Sequence, residues 1–77
     1  MKQTKQLTAI ITLEDDGYAS LCPELDVASQ GETVQEARSN LIEALELFFE
    51  TADASEIERR FNNKVFVERV EVTVGLS

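Results

Sequence analysis

The residues best suited to chemistry are carboxylates that flank two expected turns. Asp15 and Asp16 lie in the first turn, and Glu24 and Asp26 lie in the second. Carboxylate oxygens are the ligands that Mg²⁺ prefers, and such sites support phosphoryl-transfer and nuclease chemistry. The same residue types are ordinary in turns, because Asp hydrogen-bonds to its own backbone. We therefore expect these four residues to serve structure or recognition, and we predict no metal and no other cofactor.

Other catalytic groups are scarce in this sequence. Cys22 is the single cysteine, and the neighbouring Glu24 and Asp26 favour a raised thiol pKa over a reactive thiolate. A small buried thiol is therefore the expected role. The sequence contains no His, which excludes a Ser-His-Asp triad, a Cys-His dyad and an imidazole general base. We predict that the protein is not an enzyme and has no catalytic residues.

The charge distribution indicates what kind of partner the protein would attract. Fifteen acidic residues stand against seven basic ones, for a net charge of −8. The stretch from Glu14 to Glu58 contains 13 acidic residues and one basic residue, Arg38, so its net charge is −12. Phosphate backbones are bound by clustered Lys and Arg, so direct nucleic-acid binding is not expected. A field of this sign attracts a basic protein instead.

Length and cysteine content bound the domain organisation. Seventy-seven residues support one small hydrophobic core, so residues 1–77 are expected to form a single domain. One cysteine cannot form an intrachain disulfide, which favours a reduced, cytoplasmic protein. No apolar run approaches the roughly 20 residues that span a bilayer, so no membrane contact is expected.

Three strands are predicted in the first part of the chain. Apolar and polar residues alternate from Leu7 to Glu14, which is typical of a strand with one buried face. Asp15, Asp16 and Gly17 then suit a tight hairpin into a second strand from Tyr18 to about Leu21. Pro23 ends that strand, and a short third strand covers residues 27–30.

A long helix and a further strand are predicted after Gly31. Thr33 and Glu36 form a capping box, and apolar residues recur at three- and four-residue spacing from Val34 to Ala52. Ile57 and Phe61 allow a short second helix. The alternation from Val65 to Val74 then predicts a fourth strand.

These elements predict an α+β fold of β-β-β-α-β order, with a small mixed sheet covered on one face by the long helix. The right-handed crossover rule places the fourth strand parallel to a strand of the meander, most plausibly the first. The other face of the sheet then has no cover, and Ile10 points toward it. We therefore predict a homo-oligomer, a dimer or higher, with Ile10 as the candidate self-association residue.

One family resemblance rests on a series of short motifs. They are Asp16-Gly17-Tyr18, the run from Cys22 to Thr33 (CPELDVASQGET), Glu36-Ala37, Asn40-Leu41 and Glu43-Ala44-Leu45. With these motifs, about residues 7–50 resemble the HicB-like antitoxin family. The resemblance implies a partial RNase H-like fold and a non-catalytic domain in a toxin-antitoxin system. Such a domain neutralises HicA, a small basic toxin that degrades RNA through a histidine.

The resemblance implies a HicA-like toxin as partner and a docking surface for it. The candidate partner-binding residues are Asp15, Asp16, Tyr18, Glu24, Leu25 and Asp26. Many HicB antitoxins add a DNA-binding segment at the C-terminus, and the sequence leaves no room for one after Val74, which argues against operator binding. Where family members often have a proline-glycine pair, this sequence has Asp26 and Val27, which is expected to alter the loop.

Two other functions remain open at the level of sequence. The first is an orphan oligomeric adaptor that has no toxin partner. The second is a Mg²⁺-dependent nuclease remnant that uses Asp15, Asp16, Glu24 or Asp26. Metal-dependent cleavage that disappears on Asp→Asn substitution would identify the nuclease.

Overall fold

The computed structural model describes residues 4–75 of the chain. Strands β1 (Ile10–Glu14), β2 (Gly17–Cys22) and β3 (Val27–Gly31) are followed by helices α1 (Val34–Thr51) and α2 (Ala54–Asn62). The predicted α+β class is confirmed, as are the three strands, the long helix and the short second helix. The first strand begins at Ile10, three residues later than the alternation from Leu7 predicted.

The three strands form an antiparallel sheet in the order β1-β2-β3. Asp15 and Asp16 make the two-residue turn between β1 and β2, with Glu14 opposite Gly17. Gly17 has φ 152°, which other residues rarely adopt, and a Cβ there would lie 2.7 Å from the Gly31 carbonyl oxygen. Glycine at this position therefore allows the hairpin to close.

One face of the sheet packs against helix α1. Ser20 and Cys22 alternate on this face of β2 and are buried under Ala37 and Leu41 of the helix. The Ser20 hydroxyl donates to the Ala37 carbonyl oxygen at 2.9 Å, which satisfies the polar group in the core. Leu25, from the loop between β2 and β3, completes the core.

Gly31 sets how closely helix α1 approaches the sheet. A Cβ at Gly31 would lie 2.5 Å from the Ala37 backbone nitrogen and 2.8 Å from the Glu36 carbonyl carbon. The first turn of α1 therefore rests directly on the end of β3. Thr33 caps the helix as predicted, because its Oγ1 accepts from the Glu36 N–H at 3.0 Å. The Glu36 carboxylate accepts from the N–H of Glu32 at 2.9 Å, one residue before the position that a capping box predicts.

Helix α2 is held to the rest of the domain by two side chains. Phe61 stacks on Phe49 of α1 with ring centroids 6.1 Å apart. Arg60 Nη1 donates to the Leu25 carbonyl oxygen at 2.5 Å, and the guanidinium lies 5.2 Å from the Phe48 ring centroid. These contacts attach α2 to α1 and to the loop between β2 and β3.

The prediction of a fourth strand is wrong within the described residues 4–75. Residues 64–75 form no strand, and every residue from 61 to 75 is exposed. The Cα radius of gyration is 15.3 Å, whereas a compact chain of this length has about 11–12 Å. A strand forms only when a neighbour pairs with its backbone, and this segment leaves the domain without reaching one. The described sheet is accordingly antiparallel and not mixed.

Neither α1 nor α2, the two helices of residues 4–75, combines the length and the apolar character needed to cross a membrane.

Candidate acidic docking surface

An acidic depression lies at the end of the sheet that carries the β1–β2 turn. In a three-stranded meander β1 and β3 end at the same end of the sheet, on either side of the start of β2, which brings the first turn near the start of α1. The open depression has a volume of about 1000 Å³. Five carboxylates line it, and we call them the acidic surface: Glu14, Asp15, Asp16, Glu32 and Glu36.

Among residues 4–75, no basic side chain forms an ion pair with the acidic surface. The ion pairs within residues 4–75 join Glu56 to Arg59 and Arg60 in helix α2, so none involves these five carboxylates. Glu36 uses one oxygen to accept the Glu32 backbone N–H at 2.9 Å, and this bond leaves its negative charge unneutralised. Five negative charges around one depression produce a negative potential, which attracts a cationic group.

Tyr18 supplies the aromatic side chain of the depression. It lies at the start of β2, half-buried, opposite Leu13 on one side and Gly31 on the other. Leu13 also lines the depression and is exposed. A partly desolvated aromatic beside exposed charge is the composition of many protein-binding surfaces.

Glu24 lies at the opposite end of the sheet and is engaged inside the protein. Its carboxylate accepts the Thr8 backbone N–H at 3.1 Å and the Thr8 hydroxyl at 2.6 Å. Partial burial alone would raise the pKa of Glu24, but hydrogen bonds from Thr8, its own backbone and the Cys22 thiol lower it. The carboxylate thereby ties the chain before β1 to the loop after β2.

Cys22 is buried, as expected for a free cysteine. Burial is the main cause that raises the pKa of the thiol, and the adjacent Glu24 carboxylate raises it further. The thiol donates to Glu24 Oε1 at 3.4 Å. A buried thiol beside a carboxylate is a poor nucleophile.

Two of the predicted partner-binding residues have roles that the sequence did not indicate. Leu25 is 1% exposed and belongs to the core. Its side chain therefore cannot contact a partner, contrary to our prediction. Asp26 is exposed and has φ 55°, in the left-handed region that Asp tolerates better than most residues. It forms the tight turn into β3.

The predicted site residues therefore separate into two groups. Asp15, Asp16 and Tyr18 lie together at the hairpin end, whereas the segment 24–26 lies beyond the far end of β2. The six residues of β2 separate the groups by roughly 17–20 Å. The four carboxylates of the nuclease hypothesis cannot share one ion at that distance. Within residues 4–75, no group of three or more Asp, Glu or Cys is arranged to hold a metal.

Other residues of the depression were missed by sequence reasoning. Glu32, Glu36 and Asn40 line it with the predicted residues. Glu32 was assigned to the linker before the helix and Glu36 to its capping box. The sequence contained a signal for Glu32 and Glu36, because β1 and β3 of the predicted meander must end at the same end of the sheet.

Ile10 lies on the open face of the sheet, opposite Leu21 on β2. Both side chains are exposed, Ile10 by 43%. The alternation that buries Ser20 and Cys22 under α1 places these two residues on the other side. This agrees with the orientation expected for Ile10, and self-association through it remains a prediction.

Comparison with known proteins finds two homologues. The chain is 47% identical over 47 residues to the UPF0150 protein ssl0738 of Synechocystis sp., a match that covers 58% of this chain and 65% of the relative. It is 42% identical over 52 residues to the UPF0150 protein ssr1765 of the same organism, over 65% of this chain and 66% of the relative. The chain thus spans just under two thirds of each relative. No family model matches the chain, and no solved structure matches it.

Proposed function

We propose that the protein is a non-catalytic, HicB-like antitoxin whose acidic surface covers the RNA-binding site of a small basic HicA-type toxin. The observation that carries the proposal is the placement of five carboxylates around Tyr18, none of them in an ion pair with another described residue. The motif resemblance over residues 7–50 supplies the class of partner, and a partial RNase H-like fold is part of the same proposal.

The mechanism follows from charge and desolvation. A protein that cleaves RNA exposes cationic side chains where the phosphates bind. Carboxylates at the hairpin end satisfy those cations in place of phosphate and steer the encounter. Tyr18 and Leu13 supply the apolar centre from which water is excluded. The toxin is inhibited because its substrate surface is occupied.

The proposal also includes the cellular compartment of the protein and its oligomeric state. The protein acts in the cytoplasm, where such a toxin would meet RNA, and needs no metal, cofactor, nucleic-acid or membrane contact of its own. The open sheet face around Ile10 supports a homo-oligomer, since an exposed apolar face favours association.

Affinity capture from a lysate of the native organism, at low and at high salt, tests the proposal. The expected ligand is a small, basic, histidine-containing protein that cleaves RNA and is retained less at high salt. Its toxicity on expression should be relieved by co-expression of this chain. If the ligands retained at low salt include no basic RNA-cleaving protein, the proposal is wrong and an orphan adaptor describes the chain better.

A further inference from the structure

The C-terminal segment, residues 64–75, has the sequence pattern of a strand, but it is exposed and pairs with no strand of the described domain. Phe66, Val70, Val72 and Val74 share one face, which Glu68 interrupts, and Arg69, Glu71 and Thr73 lie on the other. Phe66 is 79% exposed and Val70 is 80% exposed. Apolar residues at period two predict a strand with one buried face. Exposed apolar surface of this extent marks a contact with another surface.

The free edge of β1 is a matching surface on the same domain. Within residues 4–75, β1 pairs with β2 alone, so its other edge presents unpaired backbone groups. A groove runs between the chain that leads into β1 and helix α1. Its apolar lining consists of Leu7, Ala9, Leu41, Ile42, Leu45 and Phe49. A strand added beside β1 and continued along residues 7–9 would cover both the edge and the apolar residues of the groove.

The opposite edge of the sheet is a poorer acceptor. Helix α1 lies mainly over β3, and Asn40 Nδ2 donates to the Gln30 carbonyl oxygen at 2.8 Å. Ser29 and Gln30 are polar, whereas β1 carries Ile10, Ile11 and Leu13. Cross-strand apolar pairs stabilise a sheet, which favours β1 as the partner of the valine-rich segment.

Length and charge also fit this pairing. The ten residues 65–74 reach about 33 Å when extended, enough to follow all five residues of β1. Residues 64–75 contain two basic and two acidic residues and so carry no net charge. The segment can therefore lie against a domain that is strongly acidic without the repulsion that a second acidic segment would meet.

We propose that the C-terminal segment of one copy pairs with the free edge of β1 in a second copy, and that the second copy returns its own segment to the first. This reciprocal exchange supplies each domain with the fourth strand that the sequence pattern predicts. Exchange of identical elements produces a closed dimer in which both copies bury the same surfaces. The occupant of the β1 edge is thus a second copy of this chain. The exchange uses the free edge of β1 and no backbone group of Asp15, Asp16, Glu32 or Glu36, so its test is separate from that of the toxin proposal.

The test compares the wild-type chain with V70P and V70T by sedimentation and by amide hydrogen exchange. Proline removes a backbone donor and cannot sit in a paired strand, whereas threonine keeps both the backbone and the β-branched shape. The wild type and V70T should have twice the 8.6 kDa of one chain, with slow exchange in residues 65–74. V70P should have the mass of one chain, with unchanged helix content and rapid exchange in that segment.

A mixed sample of isotope-labelled and unlabelled wild-type chains identifies the acceptor. Proton contacts between residues 65–74 of one chain and Ile10–Glu14 of another are expected. Contacts that occur only within one chain would overturn the proposal, because they show that the segment folds back on its own β1. A wild type that stays monomeric with an unprotected segment, or a dimer that V70P leaves intact, would overturn it equally.

Discussion

Glu24 accepts hydrogen bonds from both the backbone N–H and the hydroxyl of Thr8, sixteen residues earlier in the chain. The bonds join the segment before β1 to the loop after β2, at the end of the sheet away from the acidic surface. A residue that we expected to meet a partner is therefore a structural connection. The two roles can be separated by experiment.

Replacing Glu24 with Gln should lower the free energy of unfolding at pH 7 by about 1–2 kcal/mol, since a neutral amide replaces the charged acceptor of the Thr8 hydrogen bonds. The pKa of Glu24 is lower in the folded protein than in the unfolded chain. Its contribution is therefore complete above the ordinary glutamate pKa of about 4.3 and is lost as the pH falls through the folded pKa. Urea unfolding of the wild type and E24Q at several pH values measures this.

The difference in stability between the wild type and E24Q should narrow below about pH 4, as the wild-type carboxylate becomes protonated. The exposed Glu43 is a matched control, and E43Q should change stability by less than about 0.5 kcal/mol at any pH. A difference that stays constant from pH 7 to pH 3 would show that the charge of Glu24 does not stabilise the fold.

The Cys22 thiol should resist labelling in the native protein, because it is buried and its pKa is raised. Reaction with a thiol reagent at pH 7.5 should be at least about tenfold slower in buffer than in 6 M urea. Equal rates in the two solvents would place the thiol at the surface.

Replacing Gly31 with Ala should destabilise the domain by about 1–3 kcal/mol, because the added Cβ meets the backbone of Glu36 and Ala37. A Cβ at Gly75 would meet nothing within 4 Å, so G75A is the matched control and should be neutral. Thermal unfolding followed by circular dichroism compares the two. Equal midpoints for G31A and wild type would mean that the helix and strand do not approach as described.

Arg60 should be one of the two side chains that hold helix α2 on the domain. R60A removes the bond to the Leu25 carbonyl oxygen, so amide exchange in residues 54–62 should quicken by roughly tenfold, while exchange in α1 changes little. Arg59 is 75% exposed and pairs only with Glu56 among the described residues. R59A should therefore leave the exchange rates nearly unchanged, and equal effects of the two substitutions would contradict this role of Arg60.

The local elements could be read from the sequence because their signals are short-range. Thr33 and Glu36 marked the helix start, and Asp15 with Gly17 marked the hairpin. The fourth strand could not be settled in this way, because pairing depends on a neighbour and not on the alternation of Val65–Val74 alone. The burial of Leu25 also escaped prediction, since an apolar residue beside Pro23 looks the same in a core and on a docking loop.

Inhibition of RNA cleavage by the captured basic protein is the measurement that tests the acidic surface most directly. D15N/D16N/E32Q removes three charges from the surface, and E43Q/E50Q/E58Q removes three exposed charges elsewhere. The first variant should inhibit at least about tenfold more weakly than wild type, equivalent to 1.4 kcal/mol of binding energy. The second should inhibit about as well as wild type. Equal losses in both variants would show that only net charge matters and that the hairpin end does not cover the toxin.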